Sequence, residues 1–431
     1  MTQFSNHKKT KKLKVALVHD YIKEYGGAER VLEALHEIFQ DAPVYTSVYM
    51  PSFLGPHKKR FEGWDIRTSF LQHIPFKQKL ISPFRLLSSW VFKQFDLSGF
   101  DVVIVSATGA YSPNFVRTKI KDQRSKIKDD KEKTIQICYC HTPPRYLYGY
   151  ATARDWKRHR IFAILGEIVN HFLRMVDFQV SKNVDHYIAN SEEVASRIEK
   201  FYRRKATVIY PPVELNRDNE NQKSKIKDQK QEEEKYYLTG GRLARAKHMD
   251  IIVQACEDLG VALKVFGRGF GGYESKVFKS SSLKSKVEFL GEVSDEEKME
   301  LMRNAKAFIF AGEDEDFGIV PVEAMGSGTP VIAYKSGGVK ETVVEGDTGV
   351  FFEELTVESL KKAIQKFEGM KFDPEVCMRQ AEKFGKERFV KEIQEFISVK
   401  IKNQRSLQTC LPAGRGGQAK PSQEFKTRIR I

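Results

Sequence analysis

Short apolar runs typical of β-strands alternate with longer amphipathic runs typical of helices along most of the chain. In the first half, the strand-like runs are "KVALVHD", "DVVIVSA", "TIQICYCH" and "HYIANS", and the helix-like runs are "RVLEALHEIF" and "SEEVASRIEKFY". A second series runs from "YYLTGGRL" to "PVIAYKSGG". Strands that alternate with helices form parallel sheets, because each helix returns the chain to the same edge. The pattern predicts an α/β protein with two doubly wound, Rossmann-like domains.

Length and local composition suggest how the chain is divided. A chain of 431 residues favours two domains. The lysine-rich stretches 119–133 and 216–235 share the pattern Lys-Ile-Lys-Asp and are interpreted as insertions in surface loops, where extra length costs little. We predict these segments: a basic disordered N-terminus over 1–12, a first domain over 13–205, a second domain over 206–375, a C-terminal helix over 376–400, and a basic disordered tail over 401–431.

The positive charge is concentrated outside the alternating pattern. Of the formal net charge of +15, residues 1–14 carry +5, residues 119–133 carry +3 and residues 402–431 carry +6. A protein that binds nucleic acid carries its cations on a folded face, so we expect no nucleic-acid partner. The chain has no run of about 20 apolar residues, the length that spans a bilayer, and its five cysteines fit a reducing cytoplasm.

The segment "GGAER", from Gly26 to Arg30, lies between a predicted strand and a predicted helix. Two glycines let the backbone approach a ligand closely, and the free N–H groups of a helix N-terminus attract an anion. A tight strand-to-helix turn that needs glycine explains the segment equally well.

The segment "TGGRLARAKHMD" places Arg242 and Lys247 at the end of the first strand of the second series. A guanidinium fork together with an ammonium point charge suits a diphosphate, which requires both bidentate contact and neutralisation. A solvated basic turn is the alternative.

Four carboxylates, Glu313 to Asp316, precede an apolar segment in "EDEDFGIVPVEAMGSGTPVIA". We call these four residues the acidic run. Glu315 is expected in a loop and Glu323 on a helix that starts near Pro321, since proline suits a first helical turn. Ionised carboxylates accept hydrogen bonds from sugar and ribose hydroxyls, whereas acids favoured by a helix dipole are the alternative. On the first interpretation, the acidic run is not paired with the surplus positive charge of the chain.

The segment "CYCHTPPRYLYGY" places His141 at the carboxyl end of a predicted strand, from which its side chain would project into an interdomain cleft. A structural histidine with satisfied hydrogen bonds is the alternative, because histidine is intermediate in its tendency to be buried.

As a set, "YGGAER", "CYCHTPPRYLY", "GRLARAKHMD" and "EDFGIVPVEAMGSGTPVIAYKSGGVKE" resemble the family 4 glycosyltransferases, which are retaining enzymes of the GT-B fold. The resemblance covers about residues 13–400 apart from the two insertions. The chain is similar to the bacterial mannosyltransferases of O-antigen and exopolysaccharide assembly, which use GDP-mannose. The resemblance implies two parallel sheets that face an interdomain cleft, and a C-terminal helix over 376–400 that crosses back to the first domain.

The resemblance also implies roles for individual residues. Gly26 and Gly27 would face the donor diphosphate, Arg242 and Lys247 would hold it from the other domain, and His141 would lie beside the transferred sugar. The implied catalytic residues are His141, Arg242, Lys247 and Glu315. The implied donor-binding residues are Gly26, Gly27, Arg242, Lys247, Glu315 (sugar hydroxyls), Phe317, Gly318 and Ile319 (backbone contacts), and Glu323 (ribose hydroxyls). Because Arg242 and Lys247 would neutralise the diphosphate, we expect no metal ion. We also expect no cofactor, because the nucleotide sugar is a substrate.

The acceptor side is represented by the segment Phe70 to Phe95, which mixes aromatic and aliphatic residues with cations. A basic amphipathic segment can lie in a membrane interface, and a lipid-linked acceptor would make peripheral contact with an anionic membrane useful. A pair of core-facing helices is the alternative. Two other functions remain open: a nucleotide-sugar epimerase on the same fold, and a non-catalytic protein that binds membrane or nucleic acid through its basic tails.

Overall fold

A computed structural model describes residues 13–119, 133–152, 160–215, 235–269 and 286–409. The predicted basic N-terminus, all but the ends of the two predicted insertions, and the predicted tail beyond residue 409 lie outside these ranges. Of the helices in the described ranges, none combines the length and the apolarity needed to cross a membrane.

The first domain is built on a seven-stranded parallel sheet with the order β3-β2-β1-β4-β5-β6-β7. Its strands are β1 (Val15–His19), β2 (Val44–Thr46), β3 (Ile66–Thr68), β4 (Val102–Ala107), β5 (Ile135–Cys140), β6 (His186–Ala189) and β7 (Ala206–Val208). Its helices are α1 (Gly27–Ile38), α2 (Lys77–Leu80), α3 (Ser88–Lys93), α4 (Arg145–Tyr148), α5 (Arg160–Ser181) and α6 (Glu192–Tyr202). Short 3-10 turns occupy Pro51–Phe53, Gly55–Phe61, Phe70–His73, Pro83–Leu87 and Pro113–Phe115.

The second domain repeats this architecture with six parallel strands in the order β10-β9-β8-β11-β12-β13. Its strands are β8 (Tyr237–Gly240), β9 (Leu263–Phe266), β10 (Val287–Gly291), β11 (Ala307–Phe310), β12 (Val331–Tyr334) and β13 (Gly349–Phe352). Its helices are α7 (Met249–Leu259), α8 (Asp295–Asn304), α9 (Ile319–Gly326), α10 (Val339–Thr342), α11 (Val357–Glu368) and α12 (Pro374–Glu382), and a 3-10 turn spans Arg245–Lys247.

The central strands are apolar on both faces because helices cover both sides of each sheet. Every residue of β1, β4 and β5 is buried, as expected of parallel strands that lie between two helical layers. Register pairs such as Leu17 with Val44 and Leu17 with Ile104 align the carboxyl ends of neighbouring strands. The predicted α/β fold with two doubly wound parallel sheets is therefore confirmed.

The last helix, α13 (Lys386–Thr409), follows the second domain in sequence and packs on the first. Phe389, Ile393 and Ile397 lie in the hydrophobic core that α1 shares with β1 and β4. The sequence analysis ended this helix at residue 400 and assigned residues 401–409 to a disordered tail, which is wrong. These nine residues include several good helix formers, and Gln404 Nε2 donates to the backbone oxygen of Lys133 at 2.8 Å.

Candidate active site

The carboxyl ends of the two sheets face each other, and side chains from the two domains touch there. Arg30 Nη1 of α1 donates to Glu323 Oε1 of α9 at 2.7 Å, and Arg242 Nη2, just after β8, donates to Glu24 Oε1 at 2.9 Å. Ligands of doubly wound proteins bind beyond the carboxyl ends of the strands. The contact surface between the domains is therefore the candidate active site.

The glycine turn at the start of α1 lies directly against the second domain. Gly26 N donates to Glu29 Oε2 at 2.9 Å, which caps the helix. A Cβ atom on Gly27 would lie 2.8 Å from Ile319 Cδ1, and one on Gly26 would lie 3.8 Å from Arg242 Nη2. A side chain on Gly27 would require Ile319 to move, and four predicted donor-binding positions, Gly26, Gly27, Arg242 and Ile319, come together at this point.

The two predicted diphosphate ligands have different surroundings. Arg242 is exposed and reaches across to Glu24 of the first domain. Lys247 is paired with Glu315 and lies 4.7 Å from the ring centre of Phe310. The structure thus brings together Lys247 and Glu315, two residues that the sequence analysis assigned to different parts of the donor.

Glu315 is a carboxylate that stays ionised despite its environment. Burial raises its pKa, but the neighbouring cations Lys247 and Arg145 outweigh burial, so that the pKa of the Glu315 carboxyl lies below its usual value. An ionised carboxylate is an acceptor only. Glu315 can therefore receive hydrogen bonds from hydroxyl groups, and from the lysine when no ligand competes.

Glu313 and Asp316 also contact basic side chains of the protein, which the sequence did not indicate, whereas the Asp314 carboxylate accepts from Ala151 N at 3.1 Å. Asp316 Oδ1 accepts from Arg197 Nη1 at 2.7 Å and lies 2.9 Å from Arg145 Nη2. Glu313 Oε2 lies 3.0 Å from His248 Nε2. Carboxylates at the buried contact between two domains require partners, and here the first domain supplies two arginines that are distant in sequence.

A second glycine pair forms the support of the acidic run. Gly338 N donates to the backbone oxygen of Glu315 at 2.8 Å. A Cβ atom on Gly337 would lie 2.1 Å from Glu315 O, and one on Gly338 would lie 2.5 Å from Asp316 O. Any side chain at these positions would displace the loop that carries Glu315.

Glu323 is buried on α9 and has two cationic partners. Its Oε1 atom accepts from Arg30 Nη1 at 2.7 Å and from Lys298 Nζ at 3.0 Å. Helix α9 begins at Ile319, after Gly318 with a φ of 90°, which places Pro321 in its first turn and agrees with the predicted start near Pro321. The predicted ribose ligand therefore lies at the domain contact, where in this structure Arg30 of the first domain contacts it.

Phe317 is part of the hydrophobic core of the second domain. Its ring centre lies 5.5 Å from that of Phe384 and 5.6 Å from that of Tyr210. Only the backbone of Phe317 remains for a ligand, which is the type of contact that the resemblance implied.

His141 follows β5 and ends a chain of buried polar groups. Its Nε2 atom lies 2.9 Å from Ser106 Oγ. The same Ser106 oxygen lies 3.1 Å from His19 Nδ1. On the other side of the His19 ring, Nε2 lies 3.5 Å from Glu29 Oε1. Burial, with a smaller contribution from His19, lowers the pKa of His141 to about 3. The imidazole of His141 is therefore neutral at physiological pH.

Comparisons with known proteins identify the class of this site. Residues 25–217 match the family model described as Glycosyltransferase Family 4, and residues 220–386 match the model described as Glycosyl transferases group 1. The chain belongs to the family 4 glycosyltransferases. The two matches cover both domains of the glycosyltransferase and meet between them.

Relatives and solved structures agree with this assignment. The alpha-1,3/1,6-mannosyltransferase ALG2 of Mus musculus is 26% identical over 420 residues, which cover 86% of this chain and 93% of the mouse protein. The mannosylfructose-phosphate synthase of Agrobacterium fabrum is 30% identical over 148 residues, 31% of this chain and 33% of that protein. Anabaena HepE, solved with UDP and glucose, is 19% identical with a TM-score of 0.62, covering 90% of this chain and 100% of HepE. The lipopolysaccharide outer core galactosyltransferase WaaB shares the GT-B fold. It is 16% identical with a TM-score of 0.60, and the match covers 90% of this chain and 100% of WaaB.

The sequence analysis missed a buried carboxylate at the end of β1 of the glycosyltransferase. Asp20 Oδ2 accepts from the backbone N–H groups of Thr108, Ala110 and Tyr111 at 3.1–3.2 Å. Burial raises the pKa of this carboxyl, and Asp20 Oδ1 has no hydrogen-bond partner within the described residues. The position of Asp20, directly after an apolar strand, is the signal that could have identified it.

Three arginines at the domain contact were missed as well. Each contacts a carboxylate of the second domain: Arg30 from α1, Arg145 from α4 and Arg197 from α6. Nothing local in the sequence distinguishes them from the surface arginines of an amphipathic helix.

Proposed function

We propose that this glycosyltransferase moves a mannosyl group from GDP-mannose, with retention of configuration, to a glycan or lipid-linked acceptor. That it is a hexosyltransferase follows from its family and its relatives. The mannosyl group is supported by two relatives whose names state mannose chemistry. The observation that carries the proposal is that Arg242 and Ile319 of the second domain meet the glycine turn of the first, while Lys247 pairs with Glu315 on the loop that leads to Ile319.

In this proposal the donor lies between the domains, and its diphosphate replaces contacts that the domains make with each other. Arg242 now donates to Glu24 and is adjacent to Gly26, so a diphosphate at the glycine turn would take over the guanidinium. The backbone N–H groups at the start of α1 add favourable charge for an anion. Lys247 neutralises the diphosphate from the other side.

The chemical step exchanges one C–O bond for another. The bond between the anomeric carbon and the leaving phosphate oxygen breaks, and negative charge accumulates on the nucleoside diphosphate. Arg242 and Lys247 stabilise that charge, and preorganised stabilisation of this type is usually the largest catalytic contribution. The acceptor hydroxyl forms the new bond on the same face of the sugar and passes its proton to the leaving phosphate. In this step the Arg242 and Lys247 cations stabilise the leaving diphosphate in place of a metal ion.

Glu315 and His141 are proposed to orient the sugar. Glu315 is ionised and offers acceptors to sugar hydroxyls. Because Nε2 of His141 is engaged with Ser106, its neutral ring can present Nδ1 to the transferred sugar. Fixing the reacting atoms within contact distance is worth several orders of magnitude in rate.

Product analysis with a panel of nucleotide sugars tests the proposal. The purified protein is incubated with GDP-mannose, UDP-glucose, UDP-galactose and UDP-N-acetylglucosamine, each with and without a mixture of glycan and lipid-linked acceptors. We expect acceptor-dependent release of GDP from GDP-mannose and an α-linked product. Conversion of a donor to its epimer without acceptor would instead establish the epimerase alternative. Preference for another donor would reject the proposed mannosyl group but not the hexosyltransferase activity.

A lipid-linked acceptor would place the enzyme at the cytoplasmic face of a membrane. The segment Phe70 to Phe95 supports this part of the proposal, because it buries only some of its apolar residues. Phe84 and Phe92 lie in the core of the first domain, whereas Phe76 and Trp90 are exposed. The core-facing interpretation therefore holds for Phe84 and Phe92, and the exposure of Phe76 and Trp90 supports the membrane part of the proposal.

A further inference from the structure

Among the side chains described in α5, most of the large apolar ones are exposed to solvent, whereas two polar ones are buried. Asn170 and Asp177 are buried, whereas Phe172 is 58% exposed and Ile168 is 53% exposed. The exposed large apolar side chains of α5 are Ile164, Leu165, Ile168, Val169, Phe172, Met175 and Val176. With 100° per residue, these seven positions fall on one side of the helix, over about 18 Å of its length.

Polar contacts with α4 fix this orientation. Asn170 Nδ2 donates to Tyr146 O at 3.4 Å, and Tyr148 Oη donates to Asp177 Oδ2 at 2.9 Å. Arg174 Nη1 donates to Leu147 O at 2.8 Å. Rotating α5 to bury its apolar side would break these bonds and leave buried polar groups without partners, which is costly. The outward apolar side is therefore a property of the folded domain.

The segment Phe70 to Lys93 lies beside α4 and α5 in the first domain. Arg85 stacks on Tyr146 of α4 at 4.7 Å, and the turn Pro113–Phe115 contacts both α3 and α5. Trp90 of α3 is 71% exposed, and Phe76 is equally so. We refer to the exposed apolar residues of α5 together with Phe76, Leu86 and Trp90 as the apolar face.

The charge beside the apolar face selects the type of partner. Residues 70–93 contain Lys77, Lys79, Arg85 and Lys93 and no aspartate or glutamate. Two copies of the chain that paired through this surface would bring cations against cations. An anionic partner with an apolar interior complements both the charge and the exposed side chains.

We propose that the apolar face docks on a bilayer that contains anionic lipid, with α5 and Trp90 inserted below the headgroups and Lys77, Lys79 and Lys93 at headgroup level. The inference deepens the proposed function, on which it rests, because it assigns the surface that would deliver a lipid-linked acceptor. Helix α4 lies between α5 and the candidate active site, where its Arg145 contacts Asp316. A docked enzyme would therefore open its domain contact close to the membrane.

Co-sedimentation with vesicles of equimolar phosphatidylcholine and phosphatidylglycerol tests the docking surface. The test variant is the double substitution Ile168→Asp and Phe172→Asp, both at exposed positions. The matched control is Val399→Asp on α13, because Val399 is 51% exposed and α13 packs on the opposite side of the sheet. Burying one large apolar side chain changes partitioning by roughly tenfold, so we expect binding to fall by at least that factor in the double variant and not in the control.

The electrostatic part is tested separately. Lys79→Glu should weaken binding to these vesicles several-fold, whereas Lys371→Glu, the same change of charge on an exposed lysine of the second domain, should not. Pure phosphatidylcholine vesicles should bind the wild-type protein markedly less. Equal binding to both compositions, or equal loss in Lys79→Glu and Lys371→Glu, would overturn the proposed role of anionic lipid.

Two further results would overturn docking altogether. One is binding of the Ile168→Asp, Phe172→Asp variant at the wild-type level. The other is no vesicle binding by the wild-type protein, together with a concentration-dependent dimer that the double variant abolishes, since the apolar face would then join two copies. Thermal shift by GDP-mannose in the same variant separates this inference from the proposed function, because none of the proposed donor residues belongs to the apolar face. A preserved shift with lost vesicle binding supports docking independently.

Discussion

Replacing Arg197 by methionine should weaken the contact between the domains and displace the acidic run. Arg197 is a residue of the first domain, only 2% exposed. Its guanidinium donates to Asp316 Oδ1 at 2.7 Å, to Asp314 O at 3.1 Å and to Thr142 Oγ1 at 3.2 Å. Methionine keeps much of the apolar volume of the side chain and removes these three bonds together with the bond from Arg197 Nε to Glu193 Oε1 at 3.2 Å.

The structure sets the size of the effect. Removing one partner of a buried ion pair costs about 3–5 kcal/mol when the other charge is left alone. Asp316 keeps Arg145 at 2.9 Å and is 23% exposed, and Asp314 O keeps its bond from Arg145 at 2.7 Å. The expected loss is therefore smaller, about 2–3 kcal/mol. Because Glu315 lies between the two contacted residues, we also expect weaker donor binding.

Urea unfolding and donor titration measure these two consequences. Arg379→Met is the matched control, because Arg379 is an exposed arginine paired with Glu375 at 3.7 Å on one helix, a contact worth less than about 0.5 kcal/mol. A double-mutant cycle of Arg197→Met with Asp316→Asn should give a coupling free energy of about 1–3 kcal/mol. Stability of Arg197→Met within about 0.5 kcal/mol of wild type, together with a coupling free energy near zero, would refute the role of this contact.

Three further predictions concern the same region. Gly337→Ala should abolish donor binding and lower the melting temperature, because its Cβ would lie 2.1 Å from Glu315 O, whereas Gly346→Ala, at a φ of 86° in open space, should cost only about 1 kcal/mol. Burial raises the pKa of Asp177 to about 6, so its contribution to stability is present below pH 4 and lost as the pH rises to about 6. Asp177→Asn should therefore gain about 2–3 kcal/mol relative to wild type across that window in denaturation curves, and a constant difference would contradict the burial argument. Lys247→Ala should raise the barrier to transfer by roughly 2–4 kcal/mol in kcat, and undiminished turnover would remove Lys247 from catalysis.

The fold could be predicted from sequence because its signals are local. Each strand of the alternating pattern is an apolar run of about the length of a buried parallel strand, and Ser191 marks the start of α6 by accepting from Val194 N. The glycines at 26, 27 and 318 were recognised because turns and close approaches need them.

The pairing at the domain contact could not be predicted, because it depends on which distant surfaces meet. Arg197 and Asp316 are 119 residues apart, and no local pattern relates them. The pairing of Asp316 with Arg197 was not expected for this reason, since the interpretation of the acidic run considered only neighbours in sequence. Helix α5 was missed although its apolar residues recur at helical spacing. Whether its apolar side faces the domain or the solvent could be known only from the structure.

The central claim is that one donor site is built from both domains, and calorimetric titration of GDP-mannose tests it most directly. We predict saturable binding by the wild-type protein. Binding should be at least about tenfold weaker in Lys247→Ala of the second domain and in Gly27→Val of the first. Binding should be unchanged in the control Lys335→Ala, because Lys335 is an exposed lysine paired with Glu353. If Gly27→Val bound GDP-mannose as tightly as wild type, the donor would occupy the second domain alone, and the account of a shared site would be contradicted.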